Sequence, residues 1–149
     1  MLKNQLKKWV CLGTAVCALT FGSQAAFASD GWGDTREQAI HLGLGASYSD
    51  TLQDYNDVDW YYHQNNSGSQ KSAAIILQSP PNENYNLLVI QRDAQGYEYT
   101  TDLASSGNGG QEWMIFGINP GTKVWFKVYG NTTSDNDRYS NYRIELREH

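Results

Sequence analysis

Beyond residue 38, apolar and polar residues alternate with a period of two over one segment after another. That period belongs to half-buried strands, whose successive side chains point to opposite faces. Lys123–Gly130 is the clearest case: Val124, Phe126 and Val128 share one face, and Lys123, Trp125, Lys127 and Tyr129 share the other. Tyr142, Ile144 and Leu146 alternate in the same way with Arg143, Glu145 and Arg147. In Tyr85–Arg92 both faces are apolar, as expected of a strand covered on both sides. The pattern predicts strands at Ala39–Leu44, Trp60–Asn65, Ser72–Gln78, Tyr85–Arg92, Tyr97–Leu103, Gln111–Ile118, Lys123–Gly130 and Tyr142–Arg147. Turn chemistry separates them, as in Asn66-Ser67-Gly68, Asp93-Ala94-Gln95-Gly96 and Asn119-Pro120-Gly121. Asp34–Ala39 predicts one short helical turn capped by Asp34 or Thr35, and no longer helical period follows. About eight short strands with regular turns indicate an all-β antiparallel sandwich of jelly-roll type.

The first 28 residues follow a different pattern. Lys3, Lys7 and Lys8 precede an apolar run from Val10 to Phe21, and Ala26-Phe27-Ala28 supplies small residues for cleavage. This is the pattern of a secretory signal peptide (1–28), with one domain expected at 29–149. The polar Ser23-Gln24 pair and the shortness of the run argue against a retained anchor, which needs about 20 apolar residues. Both cysteines, Cys11 and Cys17, lie in the signal, so the secreted, extracellular domain would hold no disulfide. All 16 carboxylates but only 8 of the 11 Lys and Arg lie beyond Ala28, a formal charge of −8 for the domain. Nucleic acid and anionic membrane surfaces are poor partners for that balance.

Asp54-Tyr55-Asn56-Asp57-Val58-Asp59 crowds three carboxylates and one amide into six residues, directly ahead of Trp60-Tyr61-Tyr62. Like charges this close need a cation or a hydrogen-bond network to offset them. Oxygen-only donors suit calcium, although the run lacks the glycine and distal glutamate of an EF-hand. The other reading is a solvated turn in which an Asp caps its own backbone.

The ordered motifs resemble the bacterial pre-peptidase C-terminal (PPC) domain. Asp57-Val58-Asp59-Trp60-Tyr61 is similar to its opening D-x-D-x-Y, and Ala74-Ile75-Ile76-Leu77 and Tyr85–Ile90 to its next strands. Pro120-Gly121-Thr122-Lys123-Val124-Trp125-Phe126-Lys127-Val128 resembles its p-G-t hairpin strand, and Tyr142-Arg143-Ile144-Glu145-Leu146 its closing strand. The resemblance implies a sandwich usually appended to secreted peptidases, associated with secretion and with substrate or matrix attachment. In collagenases it is associated with calcium and collagen binding. Here a free-standing secreted member is expected. Carried over position by position, the family's calcium ligands would be Asp57 and Asp59 with Asp34, joined by Asp54, Asn56 or Asp30. His63 and Asn65 depart from the family, whose opening strand continues with apolar residues.

Trp125 and Tyr129, and separately Tyr97 and Tyr99, are the candidate ligand-binding aromatics, because flat side chains grip polymers with little entropy loss. Catalysis has little support. There is no H-E-x-x-H and no G-x-S-x-G, and His41 and His63 lack a ligand-like spacing. An Asp57–Asp59 pair fits metal ligation better than a glycosidase dyad. Gly107-Asn108-Gly109-Gly110 reads as a hairpin turn, since no helix follows to hold a phosphate. The expectation is therefore a non-catalytic module binding an extracellular polysaccharide or fibrous protein. The alternatives are an inhibitor or chaperone of a secreted peptidase in trans, and a weak hydrolase.

Overall fold

A computed structural model describes residues 33–104 and 106–149. The expected signal and Asp30 lie outside the described residues. The elements in order are a 3-10 turn (Arg36–Gln38), β1 (Ile40–His41), β2 (Ala46–Asp50), β3 (Val58–Gln64), β4 (Lys71–Gln78), β5 (Tyr85–Arg92), β6 (Glu98–Leu103), β7 (Gln111–Ile118), β8 (Lys123–Gly130) and β9 (Tyr142–Glu148). They form a five-stranded sheet, β1-β3-β8-β5-β6, facing a four-stranded sheet, β2-β9-β4-β7. All pairings are antiparallel except the short β1–β3 bridge. Among the described residues no helix is long and apolar enough to cross a membrane.

The core lies where the inward faces meet. Val124, Phe126 and Val128 of β8 are buried, as are Leu87 and Val89 of β5 and Tyr61 of β3. Ile75 and Leu77 of β4 and Tyr142, Ile144 and Leu146 of β9 pack against them from the other sheet. Phe126 and Phe116 meet across the sandwich at 6.0 Å between ring centroids, in tilted geometry. β5 is covered on both faces along most of its length, as its two-sided apolar pattern predicts.

Three local differences from the sequence pattern have physical causes. The single strand expected at Ala39–Leu44 is only a two-residue bridge. The chain then turns at Gly43–Gly45, with Gly45 at φ +83, and crosses to the other sheet as β2. β2 carries little apolar signal because it is an edge strand of half-buried Ala46, Ser47, Tyr48 and Ser49. β3 begins at Val58, so Asp59 is a strand residue facing inward rather than a loop donor ahead of the strand.

The polar residues His63 and Asn65 are buried with their partners supplied. His63 Nδ1 lies 3.0 Å from the Leu42 carbonyl. The Asn65 amide donates to the Ser69 and Ile118 carbonyls at 2.8 Å each and accepts from Ser67, tying the β3–β4 loop to the end of β7. The short turn forms where expected, with Thr35 Oγ1 accepting from the Gln38 amide.

Phe126 fills the centre of the sandwich on the middle strand of its sheet. Phe126→Ala should lower the unfolding free energy by about 3–5 kcal/mol through lost burial and the cavity left behind, read from urea denaturation midpoints.

Candidate functional site

Three carboxylates meet at one end of the sandwich. Oxygens of Asp34, Asp57 and Asp59 all lie within 4.8 Å of one another. Each arrives by a different route. Asp34 follows Gly33, whose carbonyl accepts the Trp60 amide at 2.7 Å and so pins the segment to β3. Asp57 closes a turn in which its amide donates to the Asp54 carbonyl and its Oδ2 accepts from the Gln53 amide at 2.6 Å. Asp59 points inward from β3, and its Oδ2 accepts from the Tyr142 hydroxyl at 2.5 Å. That hydroxyl is 2.6 Å from the hydroxyl of Tyr61, which completes a buried chain between the two sheets.

Asp54 and Asn56 take a different part. Both are exposed, and Asp54 Oδ1 accepts from the Asn56 amide at 2.8 Å, so this carboxylate caps its own turn. Sequence reasoning missed Asp50, the buried last residue of β2, whose Oδ1 accepts from the Thr51 amide. Its signal was hidden because β2 itself was not legible.

Desolvation dominates the electrostatics of this end. It raises the Asp59 carboxyl to about 8; the Tyr142 hydroxyl opposes the shift, and the charges of Asp50, Asp57 and Asp34 add to it. Burial also raises Asp50 to about 6, against the pull of the Thr51 amide. Asp57 is raised as well, first by burial and then by Asp34 and Asp54, with the Gln53 amide opposing. Clustered acids in a poorly solvated place favour a proton or a cation. The donor set is all oxygen and fits a hard metal ion.

A second constellation covers the outer face of the five-stranded sheet. Cross-strand pairing aligns Tyr62 with Trp125 and Trp60 with Lys127, and places Ile90 and Leu88 beyond them on β5. Trp125 faces outward, as its alternation predicts, but it is only 7% exposed. The Arg36 guanidinium lies over its ring at 3.9 Å and Arg92 at 5.2 Å. Glu98 holds both arginines, with contacts of 2.7 and 3.0 Å to Arg36 and 2.6 and 3.0 Å to Arg92. Hydrogen bonds from Arg36, then Arg92, hold the Glu98 carboxyl down to about 2. Trp125 is thus a platform for the arginines and not an open anchor, a correction that follows from cation–π packing.

The other expected aromatics are scattered. Tyr129 is half-buried, and its hydroxyl donates to Asp102 at 2.6 Å. Tyr97 and Tyr99 are 69% and 61% exposed. Tyr99 pairs with Gln91, which places it on the opposite face of the sheet from Trp125. Trp60 and Tyr62 join the outer face although the sequence reading did not single them out. Their alternation with the inward Asp59, Tyr61 and His63 was the available signal. Trp113 and Ile115, 58% and 46% exposed, lie on the outer face of β7 beside Ile76 and Ala74.

No protein-family model matches the sequence, and no curated protein matches it. Solved structures do resemble it. The pre-peptidase C-terminal domain of a collagenase from Bacillus anthracis superposes with a TM-score of 0.53 at 20% identity, over 72% of this chain and 93% of that one. A mitogen from Yersinia pseudotuberculosis gives 0.47 at 15% identity, over 70% and 85%. A surface-associated copper-binding protein of Methylomicrobium album BG8 gives 0.48 at 10% identity, over 74% and 98%. The ordered strands and the superposition agree: the chain has a β-sandwich fold like that of the pre-peptidase C-terminal domain.

Proposed function

We propose that this domain is a secreted, non-catalytic binding module for an extracellular polymer, with calcium fixing its acidic end. The aromatic and cationic outer face of the five-stranded sheet carries this reading. Half-buried Trp60, Tyr62 and Tyr129 stand there on a rigid sheet, with Lys123 and Lys127 over their rings. Such a surface offers large contact area with few rotors to freeze. The fold's likeness to a collagenase domain is compatible with a role in attachment.

Asp34, Asp57 and Asp59 are the residues that would hold calcium. The ion would supply charge neutralisation and a link between the N-terminal segment and β3, not chemistry. A second reading, an inhibitor or chaperone of a secreted peptidase acting in trans, draws on Trp113 and Ile115. They stand exposed on β7, an edge strand.

Calcium at about a hundredfold above its Kd should stabilise the fold by about 2.7 kcal/mol, a rise in Tm of roughly 10 °C. Asp57→Ala should remove the increment, and an unchanged midpoint on chelation would remove calcium from the proposal.

In chelator the sign of the pH dependence follows from Asp59 and Asp50. Their folded carboxyls titrate near 8 and 6, against about 3.9 in an unfolded chain. A carboxyl raised on folding contributes stability fully below its unfolded pKa and loses it as pH rises through the folded value. The metal-free domain should therefore lose stability between about pH 4 and pH 8, at no more than about 1.4 kcal/mol per unit for each carboxyl. Asp59→Asn should flatten the slope in urea midpoints taken across that window.

Retention on insoluble cell wall, chitin, cellulose or collagen tests the binding reading. Trp60→Ala or Tyr62→Ala should cut the retained fraction at least fivefold, corresponding to about 1 kcal/mol or more. Retention on none of these solids, with Trp113→Ala abolishing an effect on a secreted peptidase, would favour the second reading.

A further inference from the structure

The Lys and Arg residues beyond residue 28 are unevenly placed. Four of those eight, Arg36, Arg92, Lys123 and Lys127, gather on the outer face of the five-stranded sheet, although the domain is acidic. The arginines are bound internally by Glu98, but the lysines are not. Among the described residues neither Lys123 nor Lys127 is in an ion pair. Their ammonium groups rest on rings instead. Lys123 Nζ lies 3.9 Å from the Tyr62 centroid and 5.0 Å from that of Trp125. Lys127 Nζ lies 5.1 Å from Tyr129 and 5.8 Å from Trp60.

Two cations held this way lose less freedom when a ligand anion arrives. They are four residues apart on one face of β8, about 13 Å along the strand, so one extended chain must reach both.

The surrounding groups narrow the ligand further. A cleft of about 280 Å³ beside Lys123 is lined by Arg36, Glu37, Arg92, Lys123 and Trp125. Glu37 in the cleft and Asp102 on Tyr129 disfavour a densely charged polyanion. They leave room for single carboxylates set along an otherwise neutral framework. The surface is a sheet face and offers side chains, not free backbone groups. An extended acidic peptide laid across it would therefore gain no backbone hydrogen bonds, which strand addition at an edge supplies. Sugar rings need no such bonds, and their flat faces suit Trp60, which Lys127 approaches only to 5.8 Å.

We propose that this face binds a linear carboxylate-bearing polysaccharide, with Lys123 and Lys127 pairing with uronate groups, Trp60 stacking on a ring between them and Tyr62 seating the Lys123 ammonium. The assignment rests on the binding-module reading and specifies its ligand class.

Titration calorimetry with short oligogalacturonides and with hyaluronan tests it, each polymer compared with its carboxyl-reduced form and with poly-glutamate. Expected is binding to at least one acidic saccharide that weakens at least tenfold on carboxyl reduction and falls steeply with added salt. Lys123→Gln and Lys127→Gln should each weaken it at least tenfold, with Lys127→Arg retaining it and all variants keeping the wild-type melting temperature. Equal affinity for poly-glutamate would overturn the proposal in favour of an acidic protein. Salt-independent retention on neutral polymers, without binding to either acidic saccharide, would overturn it while leaving the module reading intact. Binding to no polymer at all would remove both.

Discussion

The hydrogen-bonded chain Asp59–Tyr142–Tyr61 is the constraint around which the acidic end of the domain is arranged. Its members come from the two sheets and lie where water does not reach. A buried hydroxyl or carboxyl without a partner costs about 1–3 kcal/mol, so the β3 and β9 strands must meet in the register that pairs these groups. Once Asp59 is held there, its neighbours inherit the consequence. Asp57 and Asp34 are brought against a desolvated acid, and Asp50 adds its field from the second sheet. The site is therefore a by-product of joining the sheets as much as a place for an ion.

The opposite arrangement governs the outer face of the five-stranded sheet. There the rings are not sealed by a second layer of structure but by cations. Arg36, carried on a three-residue turn, reaches Glu98 across 62 positions of sequence and roofs Trp125. The lysines of β8 cover Tyr62, Trp60 and Tyr129 with their ammonium ends. Aromatic surface that would otherwise invite indiscriminate sticking is kept partly wetted by the charges seated on it.

Much of this was legible in the residues, for reasons that differ by element. β8 and β9 could be read directly because each has one core face and one outer face, and alternation reports that asymmetry. β2 could not, since Ala46-Ser47-Tyr48-Ser49 lies half-buried at an edge, where no apolar pattern is required. Asp59 was visible as a candidate oxygen donor but not as an inward strand residue. What makes it tolerable there is a tyrosine 83 residues away. The outward direction of Trp125 followed from its neighbours, whereas its cover depends on Arg36 and Glu98, a contact without local signature. The sequence order of strands nevertheless carried the fold, and the superposition on a collagenase domain agrees with it.

The place of β9 bears on when this chain can fold at all. The strand sits between β2 and β4, and it also supplies Tyr142 to the buried chain. Until Tyr142–Glu148 has been synthesised, β2 has no partner and the four-stranded sheet cannot close. Closure of that sheet therefore waits for the last strand in the sequence, however fast the complete chain then folds. If the amino-terminal segment directs export as its residues predict, the nascent chain reaches the translocation machinery still open and threadable.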